Sequence, residues 1–173
     1  NTDNSYVVDV EVRDANDNTA VQTVTITVTD AAPSAPTDTD GTADAIAEDA
    51  GNGTPVGIDA DATDPVGGTI TWALTDDAGG RFQIDGSGVV TVADASKLDS
   101  ESATQHTITV EAGTSAGSET ASETFTIDVT DVAPDTPTDT DGAMNKVAED
   151  AGNGTAVGIT ASASDPGGGA VSY

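Results

Sequence analysis

The chain has 173 residues and no cysteine, and its 31 acids face four bases, a formal charge of −27. That balance argues against nucleic acid, whose phosphates need a basic footprint, and against an anionic membrane surface. Without cysteine there is no disulfide framework and no thiolate metal site, and no apolar run is long enough to insert into a bilayer.

Taken in order, Tyr6, Val8, Val10 and Val12 alternate with Val7, Asp9, Glu11 and Arg13, the pattern of a half-buried strand. Asp14 to Thr19 is turn chemistry, and Val24, Ile26 and Val28 make a second strand. Beyond them, seven short strands are expected around Ala45–Glu48, Val56–Ala62, Ile70–Leu74, Phe82–Ile84, Val90–Val92, His106–Val110 and Phe125–Val129. Turns rich in Asp and Gly separate them, and one helical turn fits between Ala93 and Ser102. No sustained 3.6-residue apolar period occurs. The fold class expected is all-β, a tandem of immunoglobulin-like, seven-stranded Greek-key sandwiches.

The tandem follows from an internal repeat. Of the 40 positions from Pro33 to Trp72, 24 are identical to their partners from Pro134 to Tyr173, at an offset of 101 residues. A period near one hundred is the size of a small all-β domain. Residues 1–34 then read as the C-terminal part of a preceding unit, 35–134 as a complete unit, and 135–173 as the N-terminal part of the next. Open strand edges at both ends invite self-association with other copies.

The acids suggest a hard cation. Calcium takes six to eight oxygens, mixing carboxylates and carbonyls. Asp38-Thr39-Asp40-Gly41 and Asp139-Thr140-Asp141-Gly142 place two carboxylates two residues apart before a flexible glycine. They read either as ligands in a linker or as a solvated polar linker. A small domain without disulfides also needs another staple, for which bound metal serves. Elsewhere the chemistry is thin. His106 alternates with Ile108 and Val110, as a packed histidine would, and Trp72 alternates with Ile70 and Leu74, as a core residue would. No nucleophile has a base placed by a recognisable motif, and an enzyme is not expected.

Several motifs together carry a family likeness. Ala47-Glu48-Asp49, Ala62-Thr63-Asp64, Trp72-Ala73-Leu74, Phe82-Gln83-Ile84-Asp85, Leu98-Asp99-Ser100-Glu101 and Phe125 to Asp131 occur in this order. In these motifs the chain resembles the cadherin-like repeats found in tandem in very large bacterial surface adhesins, including the calcium-dependent RTX type. The resemblance implies Ca2+ at the joints between units. It implies Glu48, Asp99 and Glu101 as ligands at the bottom of the complete unit. Asp131 corresponds to the first linker aspartate and Asp165 to the aspartate after the next unit's second strand. Asp30 and Asp64 hold the matching places upstream, and Asp14 the place of a further acid. The family's D-x-N-D-N linker is reduced to Asp131-Val132-Ala133-Pro134, and Val66 and Gly167 replace the second aspartate of its D-x-D. Asp38, Asp40, Asp139 and Asp141 are the candidates to replace the missing linker ligands.

The function expected is a structural extender in a secreted, cell-surface adhesin, with neighbouring repeats of the same chain as partners and calcium stiffening the array. The alternatives are a filament or surface-layer subunit built by strand exchange between incomplete ends, and a carbohydrate- or partner-binding module.

Overall fold

The computed structural model describes residues 4–115 and 119–173; the first three residues of the 1–34 segment thus lie outside the described residues. The structure is all-β and its centre is a β-sandwich. A leading hairpin, β1 (Ser5–Arg13) and β2 (Thr19–Thr27), precedes it. The sandwich is built from β3 (Thr37–Asp38), β4 (Ala45–Ala47), β5 (Pro55–Asp61), β6 (Ile70–Asp76), β7 (Phe82–Ile84), β8 (Val89–Val92), β9 (Gln105–Thr114) and β10 (Thr120–Thr130). A short pair, β11 (Thr138–Asp139) and β12 (Ala161–Ser162), follows. The helical turn expected before Ser102 is a 3-10 turn at Ala95–Lys97, capped by the Asp94 carboxylate.

One sheet has the order β4-β10-β9-β6 and the other β3-β5-β8-β7. Alternation in each strand turns one set of side chains inward. Val56, Ile58 and Ala60 on β5 and Val90 and Val92 on β8 face Ile108 and Val110 on β9 and Ile127 and Val129 on β10. Phe82 and Leu98 close the core, 2% and 3% exposed, while Trp72 packs against it partly buried. The inner faces of the two sheets thus supply one apolar core, as in other face-to-face sheet packings.

The first strand divides between the sheets. Thr37 and Asp38 pair with Ala60 and Asp61 of β5, and Ala45 to Ala47 then run parallel to Asp128 to Thr130 of β10. The crossing needs close backbone approach. Gly57 sits in the left-handed region (φ 87°), where the β5–β8 register shifts, and a Cβ there would collide with the Ala43 carbonyl. The Asp38-Thr39-Asp40-Gly41 segment, expected as linker, is therefore part of the sandwich. Alternation could not reveal a two-residue strand whose partner lies more than twenty residues away.

The hairpin repeats the β9–β10 pairing but has no second sheet against it among the described residues. Tyr6 and Val12, on core-facing registers, are 53% and 65% exposed, and Tyr173, at the position of Trp72, is 75% exposed.

Candidate metal centre

The parallel register of β4 on β10 decides where the acids meet. Ala47 lies opposite Thr130, so the next residues, Glu48 and Asp131, leave their strands at the same end of the sandwich. The Glu48 amide donates to the Thr130 carbonyl at 3.2 Å and keeps the strand end in place. From the other side comes the loop Leu98-Asp99-Ser100-Glu101, pinned by the buried Leu98. Ligand oxygens of Glu48, Asp99 and Glu101 lie within 4.8 Å of one another, the one such carboxylate group among the described residues.

The three carboxylates are held differently. Glu48 is only 3% exposed. Its Oε2 accepts the Ser100 amide at 2.9 Å and its Oε1 the Val132 amide at 2.8 Å. Those amides, Ser100 first and then Val132, favour the charged form and hold the Glu48 carboxyl below its ordinary range. Glu48 is thus an ionised clamp between the loop and the linker. Asp99 accepts the Ser102 hydroxyl at 2.7 Å and the Ser102 amide at 2.9 Å, and these bonds likewise lower its pKa. Glu101 is exposed and accepts a long 3.5 Å bond from Ser100 Oγ. Its own backbone amide favours ionisation, but desolvation and the charges of Glu48, Asp165 and Asp131 outweigh it and raise its pKa.

Asp165 reaches this end of the sandwich from the segment that follows β12. It begins the turn Asp165-Pro166-Gly167-Gly168-Gly169, in which Gly167 donates to Asp165 Oδ1 at 3.2 Å. A Cβ on Gly169 would stand 3.2 Å from Asp165 Oδ2 and 3.3 Å from the Glu101 carboxyl carbon, so both carboxylates flank one glycine. The structure therefore brings together Glu48, Asp99 and Glu101, with Asp131 and Asp165 beside them.

The other expected residues lie apart from this cluster. Asp38 Oδ1 accepts the Asp59 amide at 2.9 Å and Asp40 Oδ1 the Thr42 amide at 2.7 Å, so both serve the strand switch. Asp139 and Asp141 repeat this with the Thr160 amide at 3.0 Å and the Ala143 amide at 2.8 Å. Asp64 closes its own turn on the amides of Val66 and Gly68. Asp14 spends both oxygens on Asn16 and Asn18, with the Asn18 side chain the main cause of its lowered pKa. Asp30 is exposed in the segment after β2.

The Ser100 and Val132 amides that orient Glu48 leave no trace in residue type. Asp44 was also hidden. Desolvation first, and then the charges of Asp38 and Asp40, raise its pKa. A residue comparison could have found it, because its partner one repeat on is Asn145, which hydrogen-bonds Asp139.

The donor set suits a hard divalent cation: carboxylate oxygens on two loops and a linker, without nitrogen or sulfur. The charge is also uncompensated by protein. The ion pairs among the described residues are Arg13 with Glu11 and Asp17, and Lys97 with Asp94, none of them at the cluster.

No family model and no curated protein matches the chain. Solved structures do. The EC1-4 segment of Drosophila N-cadherin superposes with a TM-score of 0.53 at 24% identity, covering 96% of this chain and 43% of that one. A mouse clustered protocadherin, PcdhgC3 EC1-3, gives 0.48 at 28% identity over 74% of this chain and 44% of that one. The chain thus spans less than half the length of these structures. The first superposition shows that the fold is cadherin-like.

Proposed function

We propose that the chain is an extender segment of a secreted, cell-surface adhesin of the bacterial RTX type, and that calcium at the joint stiffens it. In this reading residues 35–134 are one repeat, 1–34 the end of the repeat before, and 135–173 the head of the repeat after. The observation that carries it is the meeting of Glu48, Asp99 and Glu101 where the Asp165 turn of the next repeat arrives. The cadherin resemblance predicts the same acids for the same purpose.

The mechanism is electrostatic. Without a cation, Glu101 faces the charges of Glu48, Asp131 and Asp165. Repulsion then separates the end of one repeat from the head of the next. A divalent cation supplies the missing charge, and oxygens from the Glu101 loop, the linker and the Asp165 turn close on it. Glu48 is already ionised and oriented by Ser100 and Val132, so it needs little rearrangement to join. Binding to the folded form also raises stability by mass action.

A calcium titration followed by melting and small-angle scattering tests this. Calcium should raise Tm and narrow the spread of overall lengths. If EGTA and millimolar calcium give the same Tm and the same scattering, the proposal fails.

A further inference from the structure

The two copies of the D-P-x-G-G turn differ at one informative position. Val66 occupies the third place in the complete unit and Gly167 the same place in the next. The first four residues of the two turns fold alike. Val66 donates to Asp64 Oδ1 at 2.9 Å and Gly67 to the Asp64 carbonyl at 3.0 Å. Gly167 donates to Asp165 Oδ1 at 3.2 Å and Gly168 to the Asp165 carbonyl at 3.2 Å. The left-handed position is the fourth, Gly67 at φ 82° and Gly168 at φ 97°. Gly167 itself lies outside that region, so backbone conformation does not demand a glycine there.

Space demands it. A Cβ on Gly167 would fall on Glu48 Oε2 and stand 2.8 Å from Oε1. Glu48 cannot retreat cheaply, because it is buried and both its oxygens are bonded to backbone amides.

We infer that the third residue of this turn decides which repeat can seat on the buried glutamate of the repeat before it. A repeat with glycine there, as at Gly167, docks its turn backbone directly on Glu48. A repeat with a side chain there, as at Val66, cannot take that seat behind a glutamate held in the same way, and joins its predecessor in a more open geometry. The partner this surface fits is therefore the head of a glycine-bearing repeat, and successive joints in one chain are not equivalent. The inference rests on the joint proposed above but does not require the metal.

The test uses the full 173-residue chain with nitroxide labels on cysteines introduced at the exposed Ser122 and Ser172; the chain has no native cysteine to interfere. Label distances are read by pulsed electron resonance in EGTA and in calcium, for the parent chain, Gly167→Ala, Gly167→Val and Val66→Gly. In calcium the parent and Val66→Gly should give one narrow distribution. Both Gly167 variants should give a longer, broader one and bind calcium about tenfold or more weakly, as when a supporting contact of a metal site is lost. If Gly167→Ala keeps the parent distribution, the inference is overturned. If Gly167→Ala opens the joint but calcium moves no distribution, the glycine seat stands and the calcium proposal falls. If calcium narrows the parent and Gly167→Ala alike, the reverse holds.

Discussion

Replacing Glu101 with glutamine should stabilise the chain in EGTA and destabilise it in calcium. Its folded-state pKa lies above the ordinary 4.5. The stability this group contributes is complete below its unfolded pKa and is lost as pH rises through the folded one. At neutral pH without metal, the ionised carboxylate therefore weakens the fold, and glutamine removes that repulsion. Calcium reverses the sign. At one hundred times its Kd, a cation stabilises the folded state by about 2.7 kcal/mol. For a sandwich of this size that is about 10–20 °C in Tm. Losing one of three clustered carboxylates, with affinity falling about a hundredfold, leaves the same calcium near its new Kd. The gain then shrinks to about 0.4 kcal/mol, or about 2–3 °C. Melting followed through Trp72, the single tryptophan, reads both arms in one experiment. The reasoning is refuted if the variant melts lower than the parent in EGTA, or if it keeps more than half of the parent's calcium shift.

Glu48→Gln should behave differently, lowering Tm in EGTA as well, because an amide NH2 would replace one oxygen that accepts a backbone N–H. Glu48 has a lowered pKa, so its contribution is present above its unfolded value of 4.5 and fades as pH falls below it. The Tm gap between parent and variant, measured from pH 7 to pH 3, should close on the acid side. Asp44→Asn should stabilise the sandwich at neutral pH, since it copies the Asn145 contact of the next repeat and removes a charge facing Asp38 and Asp40. Solvent screening limits the gain to about 0.5–1 kcal/mol. It should vanish as pH falls toward 3.8 and Asp44 protonates, which urea unfolding at two pH values would check.

The strands of the sandwich were legible because alternation marks any strand with one buried face, and Val56-x-Ile58-x-Ala60 is such a run. Glu48, Asp99 and Glu101 could be singled out because they sit in two motifs, Ala47-Glu48-Asp49 and Leu98-Asp99-Ser100-Glu101. The Asp38 and Asp40 environment was not legible, because what uses their oxygens is the local backbone and the β5 strand. Clamping of Glu48 by two amides is equally silent, since every residue except proline carries that donor. The role of Gly167 was visible only as a departure from a pattern. Its cause is a carboxylate standing where a side chain would be, a contact between residues more than a hundred positions apart.

The parallel pairing of β4 with β10 also determines how the chain would carry a mechanical load. Once the short β3–β5 pairing has yielded, tension along such an array would enter at the N-terminal end of β4 and leave at the C-terminal end of β10, pulling the two strands past each other lengthwise. Their hydrogen bonds at Asp128 to Thr130 are then strained together rather than peeled one by one. The Glu48 bond to Val132 lies in the direct line of that pull. Whatever tightens the Glu48 end of the sandwich thereby reinforces that seam.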